Sequence, residues 1–243
     1  MIKNLIKKVD EILFKSTIKK IYHRITYSNN ILRKTTLLNY TLKRKEKKSL
    51  LLADLIYKCP EEGVIVECGV GVGATLIKIA KISKKKIYAF DSFEGFPENL
   101  SEKDDQYLAK YLKDNKWNYK LMNIDLVKNN LANNYLDEKE INDRIVFKKG
   151  YFPESFKDFN EKISFLHLDV DLYNSYKDCL EFFYPKLIKN GIVTFDEYEP
   201  DTKIKNRKGW NFIGANKAID EFVNKNNLKL LEHWTGFKYI IKD

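Results

Sequence analysis

Apolar positions along this chain fall into two rhythms. Near the start Ile2, Leu5, Ile6, Val9, Ile12 and Leu13 recur three and four residues apart with lysines between them, which lines one face of a helix. The spacing predicts a basic amphipathic helix continuing through Ile18, Ile21 and Ile25. Its stripe is expected to pack on the body or across a dimer; peripheral membrane contact through residues 1–25 is the less favoured reading. The run Lys43-Arg44-Lys45-Glu46-Lys47-Lys48 reads as a solvated helix face.

From residue 49 short unbroken apolar runs alternate with helical spacing. The pattern predicts a helix over 49–58, a buried strand over 64–68, a glycine-rich turn and a helix over 74–82. A second strand over 86–90 ends at Asp91, and a long polar connection over 92–143 carries helical stretches around 106–113 and 125–135. Strands follow over 144–148, 163–169 and 191–195, with helices near 176–187 and over 215–224, and the chain closes with strands over 228–233 and 237–241. Strand–helix alternation implies a parallel sheet with helices on both faces. The closing pair, with no helix between, adds one antiparallel strand. The expected fold is therefore α/β and Rossmann-like, over residues 49–243, behind a basic helical extension over 1–48.

Composition narrows the picture. Hydrophobic residues make up 44% and aromatics 14%, enough to fill a core and to exclude wholesale disorder. No uncharged apolar run reaches the roughly 18 residues of a spanning helix, and no secretory signal is visible. The cysteines Cys59, Cys68 and Cys179 are odd in number and widely spaced. They read as reduced core thiols of a cytoplasmic protein, neither a disulfide frame nor a zinc site. Residues 1–50 hold 14 basic and 3 acidic side chains out of totals of 44 and 34, so the net +10 belongs to the extension. The body is close to neutral, which argues against nucleic acid as a partner.

Chemistry concentrates at two places. The first is the turn Glu67-Cys68-Gly69-Val70-Gly71-Val72-Gly73 between strand and helix. Glycines there allow a tight turn and close approach to a ligand at free helix N–H groups. Gly69-x-Gly71-x-x-Ala74 matches a loose dinucleotide fingerprint, with Asp91 about 20 residues on to hold a ribose hydroxyl. Glu67-x-Gly69-x-Gly71-x-Gly73 also matches the first motif of S-adenosylmethionine-dependent methyltransferases. An acid at Glu67 sits poorly beside a pyrophosphate, because like charges repel. Both readings take a nucleoside-containing cofactor.

The second place is a set of carboxylates. Asp169 and Asp171 are two apart, so they share a face if the strand persists. The next strand delivers Asp196-Glu197-Tyr198 at its carboxyl end, the edge where open α/β sheets bind ligands. If the two strands are neighbours, these acids converge, and such a cluster suits Mg²⁺, Mn²⁺ or Ca²⁺. His167 shares the strand and reads as a hydrogen-bonded core residue, while His23 and His233 carry no signal. A metal-dependent glycosyltransferase using Asp169 and Asp171, a nicotinamide dehydrogenase and a non-catalytic cofactor-binding protein compete with a methyltransferase. No Asn/Asp-Pro-Pro-Tyr/Phe segment of DNA methyltransferases ends the fourth strand.

Four segments together, VIVECGVGVGATL, YAFDSFEGFP, FLHLDVDLYNSYKDCLEFFYPKLIKNGIVTFDEY and IGANKAIDEF, resemble the macrocin and mycinamicin O-methyltransferases. The resemblance implies a class I methyltransferase fold, bound S-adenosylmethionine and a divalent metal, usually magnesium. By motif, Glu67, Gly69 and Gly71 would contact the cofactor, as would Gly73 of the same turn, and Asp91 would hold its ribose with Ser92 beside it. Asp169, Asp196 and Glu197 would ligate the metal, and Asp171 would be the general base. The family usually has Asp-Asp-Tyr where this chain has Asp196-Glu197-Tyr198. The implied acceptor is a sugar hydroxyl on a natural product or glycan, and a homo-oligomer is expected.

Overall fold

The computed structural model describes residues 42–98, 100–114, 121–134, 136–198 and 212–243. The helix expected over 1–25 and His23 lie outside these residues. Helix α1 (Arg44–Lys58) opens where the Lys43 N–H donates to the Glu46 carboxylate at 2.7 Å. It starts five residues before the expected position, and Leu51, Leu52 and Leu55 give it a buried stripe. Then come β1 (Val64–Cys68), α2 (Ala74–Ile82), β2 (Ile87–Asp91), α3 (Gln106–Asp114), α4 (Ile124–Asn133), α5 (Glu138–Arg144) and β3 (Ile145–Lys149). The second half runs β4 (Ile163–Leu168), α6 (Tyr173–Phe183), β5 (Leu187–Phe195), α7 (Ile213–Lys225), β6 (Leu231–Glu232) and β7 (Lys238–Ile241).

The seven strands form one sheet in the order β3-β2-β1-β4-β5-β7-β6. β1 to β5 are mutually parallel, and β7 lies antiparallel between β5 and β6. The expected single antiparallel strand is β7. Side-chain alternation divides the core in two. Val66, Cys68 and Phe90 pack with Tyr176, Phe183 and Ile219 of α6 and α7. Ile65, Ile87 and Ala89 pack with Leu51, Leu55, Leu76 and Val127 of α1, α2 and α4 on the other face. Consecutive residues entering opposite layers is the period-two signature of a sheet covered on both sides. All three cysteines are buried and free, as expected.

Other departures from the pattern in the sequence have local causes at β4, β5 and α5. β4 stops at Leu168, because Asp171 adopts a left-handed conformation (φ 59°) and the Leu172 N–H donates to the Val170 carbonyl at 2.5 Å. Asp169 and Asp171 therefore do not share a strand face. β5 begins at Leu187 rather than 191, with Asn190 at φ 62° just before Gly191, residues that read locally as a turn. α5 is capped by Asp137, whose side chain accepts from the Glu140 N–H, yet buries only Ile141, too little apolar periodicity to announce a helix.

The carboxyl ends of β1, β2, β4 and β5 meet at one edge. There the ladder continues one step into the loops: the N–H groups of Gly69, Asp169 and Asp196 donate to the carbonyls of Phe90, Cys68 and Leu168, each at 2.9 Å.

Candidate functional site

A cavity of about 640 Å³ opens at this edge, walled by Gly69–Val72, Asp91, Ser92, Phe96, Pro97, Met122, Tyr151, Phe152, Asp169 and Asp171 among others. That volume lies within the usual range of small-molecule sites.

The glycine turn is held by Asp91. Its Oδ2 accepts from the N–H groups of Val70 at 2.7 Å and Gly71 at 3.0 Å, and its Oδ1 from Phe93 at 2.8 Å. A carboxylate has about four acceptor positions, so Asp91 fixes the loop and keeps capacity for a hydroxyl. Ser92 lines the cavity, and its hydroxyl donates to the Gly95 carbonyl at 2.5 Å. Gly69 sits at φ +82°, and a Cβ there would lie 1.8 Å from the Asp169 carbonyl oxygen. This glycine lets β1 pass directly against the start of the acidic loop. Gly71 lines the cavity. Gly73 is not among the residues of the wall; a Cβ there would meet Val127 Cγ1 at 2.8 Å, so it brings α4 close to the turn.

Glu67 lies behind the loop rather than on the cavity wall. It is 0% exposed, and neither carboxyl oxygen has a partner among the described residues. Burial, reinforced by Asp169 and opposed by Lys48, pushes its pKa well above the ordinary glutamate value. A neutral acid is the cheaper state for such a position.

The acids converge, but by loops rather than by strand alternation. β4 and β5 are neighbours, with His167 opposite Thr194 and Leu168 opposite Phe195. Two groups result, each with ligand atoms within 4.8 Å of one another: His167, Asp169 and Asp196, and Asp169, Asp171 and Glu197. Burial, then Asp169 and Asp196, push Asp171 well above the ordinary aspartate pKa. The same influences, with Asp171 added, raise Glu197, whose Oε2 accepts the Tyr176 hydroxyl. His167 is fully buried, as expected of a core histidine, and its Nδ1 contacts the Thr194 hydroxyl at 2.8 Å. The hydroxyl also lies 3.4 Å from the Leu166 carbonyl, and Nε2 has no hydrogen-bond partner among the described residues.

The reading of residues 43–48 as a solvated face is corrected at Lys48, while Arg44 stays about half exposed and still reaches an acid. Lys48 is only 8% exposed. Its ammonium lies 2.8 Å from Asp169 Oδ2, 2.6 Å from Asp196 Oδ1 and 3.3 Å from the Thr75 hydroxyl. Arg44, one turn earlier, reaches Asp196 Oδ2 at 2.9 Å and donates to its backbone carbonyl at 2.6 Å. Burial opposes the charge of Asp196, but Lys48 and Arg44 outweigh it and hold the carboxyl at about 2. Burial also opposes the Lys48 charge, and Asp169 and Asp196 outweigh it, raising the ammonium above its ordinary pKa. The signal for Lys48 is present in the sequence: it stands three, four and seven residues before Leu51, Leu52 and Leu55, in phase with the buried stripe. Tyr176, which donates to Glu197, carries no comparable signal.

These contacts test the metal implied by the family resemblance. The expected ligands Asp169, Asp196 and Glu197 do not form one group among the described residues: Asp196 falls in one set and Glu197 in the other. The point between Asp169 and Asp196 is taken by the Lys48 ammonium, and Glu197 is engaged by Tyr176. The residues present do not fit a divalent ion held by that trio.

Comparison with known proteins agrees on fold and family. A profile of the family described as Macrocin-O-methyltransferase (TylF) matches residues 44–229, beginning at the first residue of α1. A curated relative, 8-demethyl-8-(2,3-dimethoxy-alpha-L-rhamnosyl)-tetracenomycin-C 4'-O-methyltransferase of Streptomyces olivaceus, is 27% identical over 147 residues. That match covers 57% of this chain and 54% of the relative, so the chain aligns with about half of that protein's length. Among solved structures, the O-methyltransferase NovP is 24% identical with a TM-score of 0.60, covering 82% of this chain and 79% of that one. CalS11, a TDP-rhamnose 3'-O-methyltransferase of calicheamicin biosynthesis, is 20% identical with a TM-score of 0.51 and 93% coverage of both chains. At these identities the structural likeness shows a shared fold.

Proposed function

Because the chain belongs to the macrocin-O-methyltransferase family, we propose that it transfers the methyl group of S-adenosylmethionine to a sugar hydroxyl on a small molecule or glycan. The observation that carries the reading is the meeting in one cavity of the glycine turn fixed by Asp91 and the acid pair Asp169 and Asp171. The rhamnosyl acceptor in the name of the curated relative supports a sugar as the methylated part.

The sulfonium of the donor supplies an already activated methyl group. The chain must then bind, orient and remove a proton. The Gly69–Val72 turn and Asp91 would hold the nucleoside part, with Asp91 accepting a ribose hydroxyl and Ser92 beside it. Phe96, Pro97, Met122, Tyr151 and Phe152 provide an apolar wall of the cavity suited to a purine ring. The acceptor oxygen attacks the methyl carbon as the carbon–sulfur bond breaks, and its proton passes to the Asp171 carboxylate. Products are the methyl ether and S-adenosylhomocysteine. A carboxyl raised by burial is a stronger base than an exposed one, and the left-handed turn at Asp171 brings it to the cavity wall. A homo-oligomer, expected from the sequence, is tested by light scattering.

The test is release of S-adenosylhomocysteine over a panel of rhamnosides and other deoxysugar glycosides. Asp171→Asn should lower kcat by about 10²–10⁴ while S-adenosylhomocysteine affinity stays near that of the wild type. The wild-type kcat should rise with pH through the Asp171 pKa, and the variant should lose that limb. A loss below tenfold would remove Asp171 from the chemistry.

A further inference from the structure

The cluster at the end of β4 and β5 contains its own cation. We propose that Lys48 is the resident cation of this site: its ammonium stands where the family resemblance expects a divalent ion, and it positions Asp169 at the cavity wall in that ion's place. The inference rests on the methyltransferase reading for the purpose of the site, though not for the chemistry of the cation.

Geometry carries it. The Lys48 ammonium donates hydrogen bonds to Asp169 Oδ2 at 2.8 Å and Thr75 Oγ1 at 3.3 Å, and it forms an ion pair with Asp196 Oδ1 at 2.6 Å outside hydrogen-bond geometry. The remaining Asp196 oxygen is met by Arg44. Two cations thus face the two carboxylates of this group. A divalent ion between Asp169 and Asp196 would lie in contact with the ammonium and would have to expel it. Expulsion is opposed by the helix, because Leu51, Leu52 and Leu55 lock α1 into the core at 0–1% exposure and aim Lys48 at the acids. Thr75, on the first turn of α2, anchors the same ammonium from the side of the glycine turn. Asp169 is the member of the pair that lines the cavity, so Lys48 acts through it, as a positioning residue. Its charge is permanent, which suits an electrostatic role and rules out one as a base.

The test uses the full chain without donor or acceptor. Mn²⁺ titration followed by electron paramagnetic resonance should show Lys48→Met, which leaves Asp169 uncompensated and Asp196 with Arg44 alone, binding at least tenfold more tightly than the wild type. Lys48→Arg should stay as weak as the wild type. If Lys48→Met unfolds without metal, recovery of a cooperative melt on adding Mn²⁺ reads the same gain. In turnover, S-adenosylhomocysteine formation by the wild type should be indifferent to EDTA, and that of Lys48→Met should depend on added metal. Equal Mn²⁺ affinity of wild type and Lys48→Met overturns the proposal, and it does so whether or not the protein methylates anything.

Discussion

At Gly69 the chain tolerates no side chain at all. A Cβ there would fall 1.8 Å from a backbone oxygen of Asp169, on a residue already at φ +82°. Gly69→Ala must move either β1 or the acidic loop, and it should cost more than about 3 kcal/mol in urea denaturation, beyond the ordinary range of single mutations. Gly236 is the control: its φ is +94° and nothing lies within 4 Å, so Gly236→Ala should cost only about 1–2 kcal/mol, the left-handed penalty alone. Equal losses would contradict the close approach. His167 gives a pH signature. Burial, aided by Lys48, lowers its pKa from 6.5 to about 4. The unfolded chain takes up a proton below pH 6.5 that the folded one refuses until about pH 4. The contribution is therefore complete above pH 6.5 and falls away as the pH drops toward 4, about 3 kcal/mol in all. His167→Gln should flatten the pH dependence of the urea midpoint across that window; an unchanged slope would mean the imidazole titrates normally. Of the cavity residues, Gly69, Gly71, Asp91, Asp169 and Asp171 were legible in the sequence, because turn chemistry and strand ends announce themselves locally, whereas Ser92 came only with the family resemblance. Lys48 was hidden among five other charged or basic neighbours, although its phase with Leu52 and Leu55 marked it as buried.

Elements were legible in proportion to their apolar content. β1 and α2 lie at the expected residues, since a buried strand followed by a glycine turn and an apolar helix leaves little choice. α5 was not, having one buried residue, and the start of β5 was masked by a local Lys189-Asn190-Gly191 turn signal that sheet pairing overrides. α1 belongs to the body by its contacts: its stripe enters the same core layer as Ile65 and Ile87, and Asp54 meets the His233 ring at 3.1 Å near the chain's end. Leu52→Ala should cost about 2–5 kcal/mol. Because α1 carries Lys48 and Arg44, the same variant should weaken the site more than an equally destabilising change in α7 such as Ile219→Ala. Comparing kcat of the two at matched stability checks this; equal kcat would detach α1 from the chemistry.

For the whole molecule, the parallel sheet gathers four strand ends at one edge, and the chain places there a glycine turn, the acid Asp91 that fixes it and a cluster of carboxylates compensated from α1. No helix among the described residues is long and apolar enough to cross a membrane. The cavity is expected to take the S-adenosyl group, and calorimetry with S-adenosylhomocysteine reads this without any acceptor. The wild type should bind it one-to-one in the presence of EDTA. Asp91→Ala should weaken it at least tenfold, as loss of a hydrogen bond to a charged group, worth about 1.5–3 kcal/mol, requires. NAD and UDP-sugars should not compete. Failure of the folded wild type to bind S-adenosylhomocysteine, or displacement of it by NAD or a UDP-sugar, would contradict the account.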